Sequence, residues 1–257
     1  MTPENVQARP FDNTVRLSAC PVCDANDIAP SVEKSGYCFS RCPHCDFLFV
    51  NPRPPQAWLN SLYASPVKEA EPTYNKAGSR LRRAYFKLPR FFPYAWRKDT
   101  VDVGCGGGFV AHALSLVARS STGIDISANA IAYARHRFSR PRFICANFAG
   151  LPNDIGEFDF VYSSEVIEHV SDVNQYMQAL NKLTRDGGHV YITTPDLGHP
   201  KVPAQIEHWD VFQPPIHVQF FNRRTVTVLF ERYGFRIVKF YKNRKPGLIF
   251  LAMKAYG

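Results

Sequence analysis

Four cysteines near the start of the chain have the spacing of a metal site. Cys20 and Cys23 form one C-x2-C pair, and Cys42 and Cys45 form a second pair after eighteen intervening residues. Each pair makes a tight turn that directs two thiolates at one point, and two pairs complete a closed tetrahedral shell that suits Zn²⁺. So short a segment cannot bury a core of its own, and a metal would stabilise it. We therefore predict a structural zinc site, with four unmetallated thiols as the alternative.

A second group of residues surrounds a glycine-rich turn. A short apolar strand that starts near Thr100 runs directly into Gly104, Gly106 and Gly108, and a helical pattern follows. Glycine lets the backbone approach a ligand closely at a helix N-terminus. A dinucleotide fingerprint would require its third glycine at position 109, which is Phe109. The turn therefore predicts a nucleotide-type cofactor other than a dinucleotide.

Two acids accompany this turn. Asp102 lies inside the strand that leads into it, and Asp125 ends a second strand about twenty residues further on. A carboxylate at the end of the second strand can accept both hydroxyls of a ribose, and Ile126 can cover the face of an adenine ring. Together the turn and the two acids indicate a bound nucleoside more specifically than glycines alone.

An E-x-x-E-H segment follows a later predicted strand. If Glu165 begins a helical turn, Glu168 and His169 share its face at the carboxyl end of the sheet, where open α/β sheets bind ligands. The three side chains could hold a divalent cation, or His169 could act as a general base. Alternatively, Glu168 stabilises a helix start and His169 only lines the pocket. His217 is a second candidate base, with a structural role as its alternative.

The order of elements along the chain predicts how these residues are positioned. Residues 1–17 are expected to form a flexible arm, and residues 18–55 a cysteine module that ends at a proline cluster. Residues 56–98 have a helical pattern typical of a cap or linker. From 99–257, short β-branched strands alternate with helices, which predicts an α/β domain with a parallel sheet.

Composition limits the classes of protein. The 257 residues suit one large domain with a small module, and 45% hydrophobic residues can fill a core. No stretch approaches the roughly 18 apolar residues of a membrane span, and residues 1–17 lack a signal-peptide core. We therefore expect a cytoplasmic, reducing setting in which the cysteines bind metal rather than form disulfides. The net charge of +9 favours an anionic partner.

Much of the positive charge lies between residues 74 and 98, where cations and aromatics alternate without any acid. This pattern is compatible with nucleic-acid binding through phosphate contacts and base stacking. It also fits an amphipathic helix whose aromatics pack on the sheet while its basic face is solvated, the interpretation we favour. The cations are Lys76, Arg80, Arg82, Arg83, Lys87, Arg90, Arg97 and Lys98, and the aromatics are Tyr74, Tyr85, Phe86, Phe91, Phe92, Tyr94 and Trp96.

These motifs resemble the class I S-adenosylmethionine (SAM)-dependent methyltransferases. Residues 101–108 look like their first motif, 158–170 like the fourth strand with its E-x-x-E-H segment, 187–195 like the fifth strand, and 217–235 like a late helix. The resemblance covers about residue 76 to 257. It implies a seven-stranded, mostly parallel Rossmann-like sheet whose last strand is antiparallel. Residues 20–55 resemble the small zinc ribbon that precedes bacterial methyltransferases of sugar, polysaccharide and natural-product pathways.

The resemblance also implies which residues bind SAM. Asp102 and the glycines of the turn would hold the methionine moiety, and Asp125 the ribose. Asn147 occupies a position that is commonly an acid facing the adenine amino group, and its amide oxygen can accept the same hydrogen bond. Tyr74 or Arg80, in the segment before the first motif, is expected to contact the cofactor carboxylate. The neighbours assigned to the same pocket are Cys105, Ile126, Phe148 and Ser164.

The predicted function is methylation of a small molecule, with a hydroxyl of a sugar or a related biosynthetic intermediate as the acceptor. A phosphorylated or nucleotide-linked acceptor would agree with the positive charge. The alternative is an RNA methyltransferase of the ribosomal-RNA type, whose ribbon and basic helix hold the nucleic acid. A binding module without catalysis is disfavoured by the intact glycine turn and Asp125. The sequence alone determines neither the acceptor nor the oligomeric state.

Overall fold

The structure, a computed structural model, describes residues 14–63 and 76–257. The strands are β1 (Ala29–Lys34), β2 (Tyr37–Arg41), β3 (Leu48–Val50), β4 (Asp99–Val103), β5 (Ser120–Asp125), β6 (Arg142–Cys145), β7 (Phe158–Ser164), β8 (Thr184–Pro195), β9 (Gln219–Phe220), β10 (Phe235–Tyr241) and β11 (Gly247–Lys254). The helices are α1 (Gln56–Tyr63), α2 (Ala77–Ala95), α3 (Phe109–Leu114), α4 (Ala128–Arg137), α5 (Val173–Leu183) and α6 (Arg223–Arg232). None of these helices in the described ranges has both the length and the hydropathy of a membrane span.

The larger sheet has seven strands in the order β10-β11-β8-β7-β4-β5-β6. The strands from β8 to β6 pair in parallel, whereas β11 is antiparallel to both of its neighbours. The predicted α/β fold, with a mostly parallel Rossmann-like sheet and an antiparallel last strand, is therefore confirmed. Parallel strands require crossover helices, and those helices cover both faces of the sheet.

Side chains of opposite sheet faces enter different cores. Val161 and Val190 pack with α5 and α6, whereas Phe160 and Tyr191, each one residue away, pack against α2 and α3. This alternation follows from the two-residue period of a strand. Since both faces are covered, the carboxyl edge of the parallel strands is the place where a ligand can bind.

The smaller sheet crosses the boundary predicted at residue 55. Its order is β1-β2-β3-β9, and the fourth strand comes from residues 219–220. Leu48 pairs with Phe220, and Phe49 pairs with Gln219. Three short strands would leave an open edge, which β9 covers. The division into domains stays a prediction, but the cysteine segment and the carboxyl-terminal half share this sheet.

Helix α2 only partly follows the predicted amphipathic arrangement. Phe91 is buried, with ring centroids 5.0–5.4 Å from those of Phe160, Tyr162 and Tyr191. Phe92 is nevertheless 43% exposed. Consecutive helical residues point about 100° apart, so both rings cannot face the sheet. The expectation that the aromatics of this segment pack on the sheet is therefore met by Phe91 but not by Phe92, nor by Phe86 and Trp96, which are exposed as well.

Candidate active site

A cavity of about 550 Å³ lies at the carboxyl ends of β4, β5, β6 and β7. Most of the residues predicted to bind a cofactor or take part in catalysis meet here, because parallel strands end at one edge of the sheet. The predicted residues that line this cavity are Gly104, Gly106, Asp125, Ile126, Asn147, Phe148, Glu165 and His169.

The glycine turn requires glycine at two positions for packing reasons. Gly104 and Gly108 have φ angles of 74° and 77°, in the left-handed region that other residues rarely adopt. A Cβ on Gly104 would overlap the side chain of Val166, and one on Gly108 would lie 2.6 Å from Cζ of Phe143. Gly104 faces the cavity, whereas Gly108 packs against the neighbouring strand β6. Gly104 and Gly106 both line the cavity, and since neither has a side chain, a ligand can approach their backbone closely.

Asp125 ends β5 and holds the turn in place. Its Oδ2 accepts a hydrogen bond from the amide of Gly106 at 2.7 Å, and its Oδ1 accepts one from the amide of Ser127 at 2.9 Å. Burial raises the pKa of this carboxyl group. Each carboxylate oxygen has a further lone pair, so the side chain can also accept hydrogen bonds from a ligand in the cavity. This chemistry suits two ribose hydroxyls.

Asp102 lies beneath the turn and does not line the cavity. Only 3% of the residue is exposed, and Oδ2 accepts a hydrogen bond from the amide of Ala111 in α3 at 3.1 Å. Burial raises the pKa of Asp102 to about 7. Cys105 and Ser164 also lie outside the cavity lining, and Tyr74 lies outside the described residues.

At the far end of the cavity, Asn147 and Phe148 follow β6. The Asn147 Oδ1 accepts a hydrogen bond from the amide of Gly150 at 2.6 Å. The Phe148 ring packs edge-on against Tyr176, with centroids 5.3 Å apart. An apolar ring beside an amide oxygen can hold a flat heterocycle that carries an amino group, as the sequence predicted.

The E-x-x-E-H segment does not form the expected helical turn from Glu165. Glu165 has a φ of 55°, its amide donates to the carbonyl of Thr193, and the helical residues are a three-residue 3₁₀ segment, Ile167–His169. A left-handed residue cannot begin a right-handed helix. The Glu165 side chain, which accepts from the Thr193 hydroxyl at 2.8 Å, lines the cavity, whereas Glu168 points into the protein.

Glu168 is fully buried beside two histidines. Its Oε2 accepts from the Thr194 hydroxyl at 3.0 Å, while Oε1, 3.8 Å from Nε2 of His169, has no hydrogen-bond partner among the described residues. Burial, followed by the charge of Glu165, raises the pKa of Glu168 well above its usual range. An unpaired buried carboxylate oxygen is costly, and it marks a place where a proton or a cation would be stabilised.

The histidines come from distant parts of the chain. His169 donates through Nδ1 to the Ile216 carbonyl at 2.8 Å, and His217 donates through Nδ1 to the Val211 carbonyl at 2.5 Å. Since a carbonyl can only accept, each neutral ring carries its lone pair on Nε2. The ring centroids are 4.7 Å apart, and burial lowers the pKa of His217.

The potential ligand atoms of Glu168, His169 and His217 all lie within 4.8 Å of one another. This set differs from the predicted group of Glu165, Glu168 and His169. His217 enters it because the chain next to β9 lies against the 3₁₀ segment: the amide of Val218 donates to the Glu168 carbonyl at 3.0 Å. His169 and His217 are 48 positions apart in the sequence, so no local pattern indicates their contact.

Sequence reasoning also missed a wall of the cavity that α1 supplies. Gln56, Ala57 and Asn60 line it. The Gln56 Oε1 accepts from the amide of Ser171 at 2.7 Å, and the Ser171 hydroxyl donates to the Pro54 carbonyl at 2.5 Å. These contacts join residues more than a hundred positions apart. The proline cluster before α1 was the only signal near them, and it indicated a boundary rather than a pocket.

The four predicted zinc ligands converge within the cysteine segment. Their Sγ atoms all lie within 4.8 Å of one another, with Cys20–Cys45 and Cys23–Cys42 distances of 3.5 Å. Sulfurs bound to one tetrahedral zinc at about 2.3 Å would be roughly 3.8 Å apart, so the arrangement fits the ion. The hydrogen bond between Cys20 and Cys45 lowers the pKa of Cys20 and raises that of Cys45, because one thiol keeps the proton that the other loses.

The two cysteine turns have the same backbone pattern. The amide of Asp24 donates to the Cys20 carbonyl, and the amide of Asp46 donates to the Cys42 carbonyl, both at 2.9 Å. Cys38 and His44, the other potential ligands of this region, point elsewhere: the Cys38 thiol lies 3.8 Å from Glu33, and His44 Nε2 lies 2.8 Å from Asp27. The cluster therefore contains the four cysteines that the spacing selected.

Comparison with known proteins agrees with this arrangement. A family described as a methyltransferase domain matches residues 68–239. A probable SAM-dependent methyltransferase of Mycobacterium tuberculosis is 30% identical over 115 residues, which are 45% of this chain and 42% of the relative. A ubiquinone biosynthesis O-methyltransferase of Aromatoleum aromaticum is 34% identical over 102 residues, 38% of this chain and 44% of that protein. The chain thus spans less than half the length of these curated relatives.

Solved structures share the fold at low sequence identity. A SAM-dependent methyltransferase from Mesorhizobium loti superposes with a TM-score of 0.56 at 20% identity and covers 68% of this chain and all (100%) of its own. The magnesium protoporphyrin IX methyltransferase of Synechocystis with bound S-adenosylhomocysteine (SAH) has a TM-score of 0.56 at 15% identity, covering 78% and 99% of the two chains.

Proposed function

The chain belongs to the methyltransferase-domain family, and on that premise we propose that it transfers the methyl group of SAM to a hydroxyl of a small molecule. A sugar or a related biosynthetic intermediate is the proposed acceptor. The observation that carries this proposal is the cavity above the glycine turn, which brings Asp125 and His169 to one space at the carboxyl edge of the sheet. One wall suits a nucleoside, and the opposite wall offers a base.

The residues of the turn support SAM as the methyl donor. All five of the residues proposed to hold SAM line the cavity. In this proposal, the backbone of Gly104 and Gly106 contacts the methionine part and Asp125 accepts hydrogen bonds from the ribose hydroxyls. Asn147 and Phe148 contact the adenine. SAM supplies a methyl group on a sulfonium sulfur, which is already a good leaving group. The protein therefore needs to orient the acceptor in line with that methyl group and to exclude water.

His169 is the proposed general base. Its Nδ1–H is held by the Ile216 carbonyl, so Nε2 carries the lone pair in the neutral ring. The acceptor oxygen forms its bond to the methyl carbon as the sulfonium–carbon bond breaks, and the hydroxyl proton passes to Nε2. We propose structural or cofactor-positioning roles for Glu165, which braces the end of β8 through Thr193.

The cluster of Glu168, His169 and His217 favours a second arrangement, in which a divalent cation is held beside the cavity. The Glu168 Oε1, which has no hydrogen-bond partner among the described residues, and the orientation of both imidazoles fit such an ion. A cation there would lower the pKa of an acceptor hydroxyl, and His169 would then serve as a ligand in place of a base. Loss of turnover in His217→Ala as severe as in His169→Ala would favour the cation.

The cysteine cluster supports a structural zinc ion within a ribbon. None of the seven cysteines, all in described ranges, forms a disulfide. A reducing, cytoplasmic setting is part of this proposal, because thiolates must stay reduced to bind zinc. The ribbon packs on the same core as the methyltransferase fold, since Phe47 contacts Phe221 with centroids 5.1 Å apart.

A methyl-transfer screen with isotopically labelled SAM tests the proposal against the RNA alternative. Purified protein is supplied in parallel with pooled sugars and nucleotide sugars, with small metabolites, and with total RNA. We expect label in a small-molecule pool, and a roughly 10²- to 10⁴-fold loss of turnover in His169→Ala. The exposed His136 provides the control, because His136→Ala should leave turnover unchanged. Label that enters only RNA would replace the small-molecule proposal with the RNA one.

A further inference from the structure

A second cavity, of about 740 Å³, opens at the same edge of the sheet but over its antiparallel half. It lies where β8 and β10 end and β11 begins, beside the start of α6. Asp196 follows β8, and Gly247, which pairs with Pro195, starts β11. No residue lines both cavities. The cofactor pocket therefore leaves this space available to another ligand.

Cations from two separate segments converge on the second cavity. Arg223 comes from the start of α6, while Lys242 and Arg244 come from the loop between β10 and β11. Within residues 14–63 and 76–257, none of the three makes an ion pair with an acid. The Arg223 guanidinium lies 5.1 Å from the ring centroid of Phe240, which limits its freedom. His199 adds a further potential donor to the wall.

One acid, Asp196, lies in this wall, and it is already hydrogen-bonded. Its Oδ1 accepts from the amide of Gly198 at 3.0 Å, and 9% of the residue is exposed. Burial raises the pKa of Asp196, so its charge is less favourable than that of a surface carboxylate. Because three cations and one buried acid line it, the cavity is positively charged. Its concave shape strengthens the attraction of this charge for an anion.

The end of β8 contacts the linings of both cavities. Thr193 donates to Glu165, which lines the cofactor cavity, and Asp196 of the second cavity follows three residues later. Both cavities open at the carboxyl edge of the parallel strands, and His169 lines the first of them. A ligand that carries two or more negative charges fits three cations better than a single carboxylate would. Phosphate esters have about −1.5 to −2 charges at neutral pH, and arginine binds them with paired hydrogen bonds.

We propose that this second cavity binds the phosphate or diphosphate group of the methyl acceptor and so selects phosphorylated substrates. The inference rests on the proposed function, because it assigns the cavity to the acceptor. A nucleoside diphosphate carries the required group, and so does free pyrophosphate. The phosphates of an RNA chain share this chemistry, and the experiment separates these sources.

Calorimetric titration of the full chain with uridine diphosphate (UDP) and with pyrophosphate, at about 0.15 M salt, tests the site. We expect saturable binding of UDP that the double variant Arg223→Gln/Arg244→Gln weakens roughly tenfold or more, because two charge-assisted contacts are lost. Arg236→Gln is the matched control: Arg236 is exposed on β10 outside the cavity, and its loss should change the affinity by less than about twofold. Unchanged SAH binding in all variants would establish that they are folded.

Three results would overturn the inference: no saturable UDP binding, equal UDP affinity in the double variant and the parent, or an equal loss in Arg236→Gln. If UDP bound no more tightly than pyrophosphate, only the diphosphate group would contact the cavity, and the result would count against a uridine-nucleotide-linked acceptor. Displacement of UDP by a short RNA at lower concentration than by pyrophosphate would assign the cavity to RNA and overturn the small-acceptor inference. Failure of the parent to bind SAH would instead count against the proposed function.

Discussion

Asp102 and Asp125 are carboxylates on neighbouring strands, but Asp102 is buried and Asp125 is only partly buried. Asp125 lies at the end of β5, lines the cofactor cavity and accepts hydrogen bonds from two backbone amides. Asp102 lies one layer lower, under α3, and accepts a hydrogen bond from one amide. At the scale of single residues, the first is placed to bind a ligand and the second to hold a helix against the turn.

Replacing Asp125 by alanine should weaken SAM binding. The variant loses a charged acceptor for the ribose hydroxyls, which corresponds to roughly 1.5–3 kcal/mol of binding free energy. Calorimetric titration with SAM or SAH measures the loss, and Asp154→Ala, at an exposed position outside the cavity, is the control. Equal affinity in Asp125→Ala and the parent would mean that the ribose binds elsewhere. NAD should not bind to either protein.

Asp102 should make the stability of the ligand-free protein depend on pH. Its pKa is about 7 in the folded chain against 3.8 for the ordinary side chain, so the folded state binds the extra proton between these values. The stabilisation is complete below pH 3.8 and is lost as the pH rises to about 7. Asp102→Asn, whose amide oxygen can accept the same bond from Ala111, removes this dependence.

As the pH rises across this window, the unfolding free energy of the parent should therefore fall relative to that of Asp102→Asn, by up to roughly 1.4 kcal/mol per pH unit. Urea denaturation of both proteins at several pH values measures it. If the unfolding free energies of the two proteins changed with pH in parallel, the Asp102 carboxyl group would have its ordinary pKa in the folded protein.

At the scale of elements, α2 has cations on two faces with different roles. Lys87 reaches the sheet and donates through Nζ to the Tyr162 hydroxyl at 2.5 Å, and Arg90 donates to the Tyr191 hydroxyl at 2.9 Å. Burial lowers the pKa of Lys87. Arg82 and Arg83 are exposed on the solvent side. Two of the eight cations of the basic pattern, Lys87 and Arg90, thus stabilise the packing of the helix, whereas Arg82 and Arg83 lie on its surface.

Arg82→Ala/Arg83→Ala should leave small-molecule turnover nearly unchanged, since neither side chain lines the cofactor cavity. RNA binding by the parent should be weak, without sequence preference, and should fall steeply with salt. Lys87→Ala should lower the unfolding free energy by about 1–3 kcal/mol, because it removes the donor to the buried Tyr162 hydroxyl. Turnover and thermal unfolding are measured on both variants. A double arginine variant that loses activity, with added salt imitating the loss, would favour RNA as the substrate.

At the scale of the whole molecule, the ribbon leads directly into the helix α1, which forms part of the active-site wall. The ribbon's sheet is completed by β9, which lies beside His217. Helix α1, which follows the ribbon in the chain, supplies Gln56 to the cofactor cavity. Arg53 of the ribbon exit also pairs with Asp172 at 3.2 Å. The cysteine segment is therefore in contact with elements that border both the cofactor cavity and the histidine pair.

Cys42→Ser should remove the bound zinc and destabilise the ribbon. The pure parent should contain about one tightly bound zinc per chain, because four thiolates complete the coordination shell. Cys38→Ser is the matched control, because Cys38 lies in β2, close to Cys42 in the sequence, but outside the cluster. This variant should keep the metal. Elemental analysis and thermal unfolding measure both effects. A parent free of zinc after purification without chelators would contradict the prediction.

Some features of this protein follow from short stretches of sequence. The cysteine turns and the glycine turn depend on residues within a few positions of one another, and hydrogen bonds such as Asp24 to Cys20 are local. The alternation of strands and helices likewise predicted the parallel sheet and hence the meeting of Gly104 with Asp125 at one edge. Local backbone geometry determines these features, so the sequence was sufficient for them.

Other features were decided by the tertiary structure alone. The pairing of His169 with His217, the wall formed by Gln56, and the cations that meet at Arg223 each join segments far apart in the chain. Packing also selected Phe91 for the core and left Phe92 exposed. Such contacts depend on how sheets and helices dock, and one sequence pattern is compatible with several ways of docking. Only the folded arrangement, in which distant segments bury the same surface, distinguishes among them.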